Sequence, residues 1–123
     1  VVRLLESGTQ SLFFQLRGPV APPDNIVILA IDNESLKQAE NYRAAPQQYG
    51  HLEPLQTWPW KRAAYAKAID QIMAAGARSV ALNLVFDQPS RYGAADDELL
   101  RQVLQRYKGK VTLAALYEDV QMR

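Results

Sequence analysis

The sequence predicts an α/β fold: a three-stranded, mostly parallel sheet with βαβ crossover helices and an amino-terminal amphipathic helix. Three observations carry that reading. Residues 80–86 are a short apolar run directly after a helix-period stripe, residues 26–31 are continuously apolar, and helix-like segments alternate with strand-like ones along the chain. Helices placed between strands are what right-handed parallel crossovers require. A single domain over residues 1–123 is expected, because a chain of 123 residues is long enough for one core but not for two.

Residues 2–17 set Leu5, Leu12, Phe13 and Leu16 at helical spacing and stop at Gly18-Pro19. This helix is the natural cover for a sheet face that the crossover helices leave bare; its alternative use is a seam against a second copy. Pro22-Pro23 stiffens the connector at 20–25, which delivers the first strand at 26–31. Asp32, Asn33 and Ser35 then suit the capping of a brief helix at 34–39. Residues 40–57 show no period and read as a long loop.

At Trp58-Pro59-Trp60-Lys61-Arg62 the proline presets a helical φ and marks a helix entrance. Tyr65, Ala68, Ile69, Ile72 and Met73 form the apolar stripe, and Gly76 supplies the left-handed stop. The run 80–86, apolar on both faces except at Asn83, suits a strand covered on both sides. Asp96-Asp97-Glu98 opens the next helix, with a stripe of Leu99, Leu100, Val103, Leu104 and Tyr107 ending at Gly109. The third strand is expected at 111–117.

Composition narrows the functions. At 48% hydrophobic, 22% charged and a net charge of +1, the chain has no field to hold nucleic acid or an anionic membrane surface. With no cysteine there is no disulfide, thiolate nucleophile or sulfur metal site. No apolar run approaches the ~20 residues of a membrane span, and both ends lack a turn or tail, as in a piece cut from a longer protein.

Ligands of an open parallel sheet bind beyond the carboxyl ends of its strands, here Asp32 to Ser35, Asp87 to Ser90, and Glu118 with Asp119. Acids at all three ends fit a hard cation or acid/base work, and a metal-dependent enzyme is therefore the runner-up reading. The plainer reading is that each acid caps the turn or helix after it. Phosphate loops, nucleophile elbows and triads are missing, His51 is the only histidine, and no catalytic residue, metal ligand or cofactor is assigned. Asn83 is a polar amide in an apolar strand, which calls for a hydrogen bond to a nearby loop. Trp58 and Trp60 beside Arg62 fit either a stacking platform or plugs between helix and loop. The candidate ligand-binding residues are Asp32, Trp58, Trp60, Arg62, Asn83 and Asp87.

Several local patterns occur together: Arg17 before the Pro-rich connector, Ile28 to Asp32 followed by Ser35-Leu36, Trp58-Pro59-Trp60 with Arg62, Ala75-Gly76-Ala77 ahead of a strand ending in Phe86, and Asp96 three before Leu99. Together they resemble the second type of CHASE domain, the cyclase- and histidine-kinase-associated sensory extracellular domains of bacteria. The resemblance covers nearly the whole chain and implies a non-enzymatic sensor outside the inner membrane. It would be anchored by flanking segments, receive a small-molecule or protein signal and regulate a cytoplasmic cyclase or kinase. A homodimer, or a pure interaction module, is the further alternative. The family more often has aspartate where Asn83 stands, and the 40–57 loop is long for it.

Overall fold

The computed structural model describes residues 2–116, with side chains for residue 9 and for 11–116. The chain forms two compact units, Val1–Ala30 and Ile31–Arg123.

In the first unit, α1 spans Val2–Arg17 and carries Arg17 in its last turn, where a cation meets the negative end of the dipole. Gly18 ends it with φ +69° and donates its N–H to Phe14 O at 3.2 Å. The helix is where the periodicity placed it, but Leu12, Phe13 and Leu16 are all exposed. Residues 26–31 correct the first predicted strand: they make no ladder, and Ile28 is 86% exposed. An apolar run becomes a strand only where another strand answers its N–H and C=O groups, and among the described residues no strand pairs with 26–31.

In the second unit, α2 spans Asn33–Ala44, longer than the brief helix expected. Its polar surface hid its second half. Only Ala39 is buried, and the helix is held by local bonds such as Lys37 Nζ to Glu34 at 2.7 Å and Asn41 to Gln38 at 3.0 Å. What remains of the predicted loop includes a 3₁₀ turn, Gly50–Leu55, packed on α2.

Helix α3, Arg62–Ala74, starts three residues after Pro59, and the Trp58–Pro59 bond is cis. Pro59 therefore lies in the turn before the helix rather than in its first turn, which corrects the expected entrance. The stop is as expected. Gly76 at φ +95° donates to Met73 O while Ala77 donates to Ile72 O, a Schellman closure.

Strands β1, Val80–Leu82, and β2, Val111–Leu113, pair in parallel with Val80 opposite Val111, and α4, Ala94–Arg106, connects them. Among the described residues the sheet has two strands rather than three; Tyr117, Glu118 and Asp119 lie outside the described residues. The run 80–86 is covered on one face only: Val80, Leu82, Leu84 and Phe86 are half-buried, whereas Ala81, Asn83 and Val85 are exposed. Helices α3 and α4 pack together on the covered face, and that one-sided arrangement is why burial alternates.

The core is Trp60, Tyr65, Ala66, Ile69, Leu100 and Val103, with Ile69 only 1% exposed. Ala68 and Leu99, both placed on apolar stripes by spacing, are exposed; Ala66 takes the inward position on α3. Among the described residues no helix is long and apolar enough to cross a membrane.

Candidate functional site

Helix α3 begins without a cap from its own chain segment, because Lys61 at the N-cap offers no acceptor. The acceptor comes from α4. Asp96 Oδ2 receives the N–H of Arg62 at 2.7 Å and Oδ1 receives that of Ala63 at 3.0 Å, so one carboxylate closes the first turn of a helix 33 residues away in sequence. Ser90 Oγ donates to the same carboxylate at 2.6 Å. Asp96 is 7% exposed. Burial opposes its ionisation, but the hydrogen bonds from Ser90, Arg62 and Ala63 outweigh it and hold the carboxyl below its usual value.

Arg62 ties the same junction to the segment that follows β1. Its Nε meets Asp97 at 3.2 Å, its Nη2 donates to Gln88 O at 2.8 Å, and its guanidinium lies 4.3 Å from the Phe86 ring centre. Asp97 also accepts the N–H of Ser90 at 2.8 Å. The segment after β1 and the amino ends of α3 and α4 are thus one polar knot, on the side of the sheet where its strands end.

Next to this knot lies an open cleft of about 260 Å³, lined by Glu53, Pro54, Gln56, Thr57, Lys61 and Tyr92. Lys61 Nζ is ion-paired with Glu53 and sits 5.5 Å from the Tyr92 ring centre. The hydrogen bond to Glu53 raises the Lys61 pKa, keeping the ammonium charged. The Tyr92 hydroxyl donates toward Thr57 O at 3.3 Å and accepts from Arg91 Nη2 at 2.7 Å; Arg91 also reaches Trp58 O at 3.3 Å.

Of the six sequence candidates, Arg62 is central to the knot and Trp58 stands at its edge, half-exposed and edge-on to Trp60 at 5.4 Å. Trp60 is a core residue, packed against Tyr65 at 6.2 Å. Asp32 caps α2: its Oδ1 accepts the Ser35 N–H at 2.9 Å and the Ser35 hydroxyl at 2.8 Å, which lowers its pKa. Asn83 and Asp87 are exposed, so the amide at Asn83 needs no buried partner and the expected loop bond has no burial behind it. The sequence presents Asp96 and Asp97 only as a helix start, Lys61 only as part of a helix entrance and Ser90 only at the end of an acidic strand terminus, and it does not single out Glu53, Tyr92 or Arg91. The signal available was an aspartate pair opening a helix that follows a strand, together with a lysine-arginine pair opening the helix before it.

The Ser90 hydroxyl donates a hydrogen bond to a carboxylate already held by two backbone N–H groups, and His51 stands by Tyr49 with ring centres 6.4 Å apart. Among the described residues no three histidine, cysteine or acidic side chains converge as metal ligands. No curated protein and no solved structure matches this chain. The model of the CHASE2 domain family matches residues 1–120, nearly the whole chain, and the chain therefore belongs to the CHASE2 domains, a family of extracellular sensory domains of signalling receptors.

Proposed function

We propose that this chain is the signal-receiving part of a bacterial membrane receptor. It lies on the periplasmic side, is anchored by flanking segments, is not itself an enzyme, and regulates a cytoplasmic adenylate cyclase or histidine kinase. The family match over residues 1–120 carries the reading. The knot of Arg62, Asp96 and Asp97 supports it, because one cluster fixes the starts of two helices and the segment that follows β1, so a rearrangement there reaches all three.

The side of the membrane is tested with a single cysteine, since this stretch has none of its own. Lys67→Cys, at an exposed position of α3, should react with a membrane-impermeant maleimide on intact spheroplasts of cells making the full receptor. Labelling only after lysis would refute the assignment. The competing metal-dependent enzyme predicts turnover of a nucleotide or ester that disappears in Asp32→Ala or Asp87→Ala; the sensor reading expects none.

A further inference from the structure

The cleft beside Tyr92 is ringed by unequal charge. Lys61 lines it, Arg91 is bonded to Tyr92, and Arg43 Nη2 donates to Gln56 O at 3.4 Å, so three cations stand at or beside the lining residues. Glu53 is the carboxylate in that lining. Among the described residues neither Arg43 nor Arg91 is ion-paired with a carboxylate. Asp96 also acts on Lys61 through its charge, but its oxygens and those of Asp97 are taken up by backbone N–H groups, Ser90 and Arg62.

From this we infer that the cleft is a binding site for a small organic carboxylate. The side chains of Lys61 and Glu53 are 31% and 38% exposed, and an ion pair that open contributes little, so Lys61 can exchange Glu53 for a carboxylate ligand at small cost. The arginines supply planar donors suited to a carboxylate. Pro54 and the Tyr92 ring give an organic body something apolar to rest on, and about 260 Å³ is more room than an inorganic oxyanion needs. The ligand's charge would be drawn to the residue next to Arg62, which places it one step from the knot that fixes α3 and α4.

This inference rests on the sensory reading and names the class of its signal. Isothermal titration of the 123-residue chain with sodium succinate, sodium butyrate and sodium citrate tests it, with sodium phosphate and sodium chloride at matched ionic strength as controls. Saturable binding of at least one organic carboxylate is expected, weakened roughly tenfold or more by Lys61→Gln, which corresponds to about 1.4 kcal/mol, and largely restored by Lys61→Arg. Arg91→Gln, outside the helix start, should weaken binding in the same direction and serves if Lys61→Gln fails to fold. Equal binding of phosphate, no saturable carboxylate binding, or binding indifferent to both substitutions would overturn the site. A full receptor whose output still responds to its surroundings while no carboxylate binds would leave the sensory reading standing and remove this one; a carboxylate that binds without moving output would do the reverse.

Discussion

Replacing Asp96 by alanine removes one carboxylate and orphans three donors: the N–H groups of Arg62 and Ala63 and the hydroxyl of Ser90. Losing a helix cap costs about 0.5–2 kcal/mol. Leaving a buried donor unsatisfied costs about 1–3 kcal/mol. Because the two figures describe partly the same groups, the expected loss is about 2–4 kcal/mol rather than their sum, and at a residue only 7% exposed little water is at hand to soften it. For a chain of this size that lowers the melting temperature by roughly 3–5 °C per kcal/mol. Asp96→Asn keeps one acceptor oxygen but turns a donor toward a donor, and should lose about 1–2 kcal/mol. Urea denaturation followed by circular dichroism reads both values. A loss under about 0.5 kcal/mol for the alanine variant would mean that α3 does not begin on this carboxylate, and the knot would have no structural force.

Acid should act through the same group: since folding lowers the Asp96 pKa, its contribution is complete above the unfolded aspartate value of about 3.9 and is lost as pH falls through the lower folded value. Asp96→Asn should flatten that acid limb of the stability curve, and an unchanged limb would assign it to other carboxylates. Ile69→Ala, at 1% exposure, should cost about 2–5 kcal/mol, whereas Ile72→Ala, only half-buried, should cost clearly less; equal losses in denaturant titrations would contradict the orientation of α3. Arg62→Met should release the Asp97 pair and the Gln88 carbonyl together, at about 1–3 kcal/mol, and a double-mutant cycle with Asp97→Ala should show coupling; additive losses would mean that the pair carries nothing.

What could be read in the sequence was set by period and punctuation. Tyr65, Ile69 and Met73 with the Gly76 stop located α3, and Leu100 and Val103 located α4, because an apolar stripe and a left-handed glycine are local signals. The start of α2 is legible from its Asp32 cap, but its length to Ala44 is not, because the helix buries only Ala39 and is held by side-chain bonds a few residues apart. Residues 80–86 were misjudged for a related reason: a continuous apolar run looks the same whether one face or both is covered, and only the placement of α3 and α4 on one side decides. Of the site, Arg62 stands out beside Trp58 and Trp60 and again in the family pattern. Its partners do not, because the 34- and 35-residue separations to Asp96 and Asp97 exist only once β1 has carried the chain back. Asp32 was read as either a ligand acid or a cap, and its bonds to Ser35 make it a cap.

The sensory role is tested most directly by the output of the full receptor, cyclic nucleotide or phosphoryl transfer, measured in membranes from cells carrying the wild type and Arg62→Met. That variant loosens the knot while leaving Trp60, Ile69 and the rest of the core in place. The account predicts a cytoplasmic output displaced to a new fixed level and insensitive to added extracellular medium components, with the receptor present in normal amount. Output and response identical to the wild type, in a variant shown to have lost the Arg62 contacts, would contradict it.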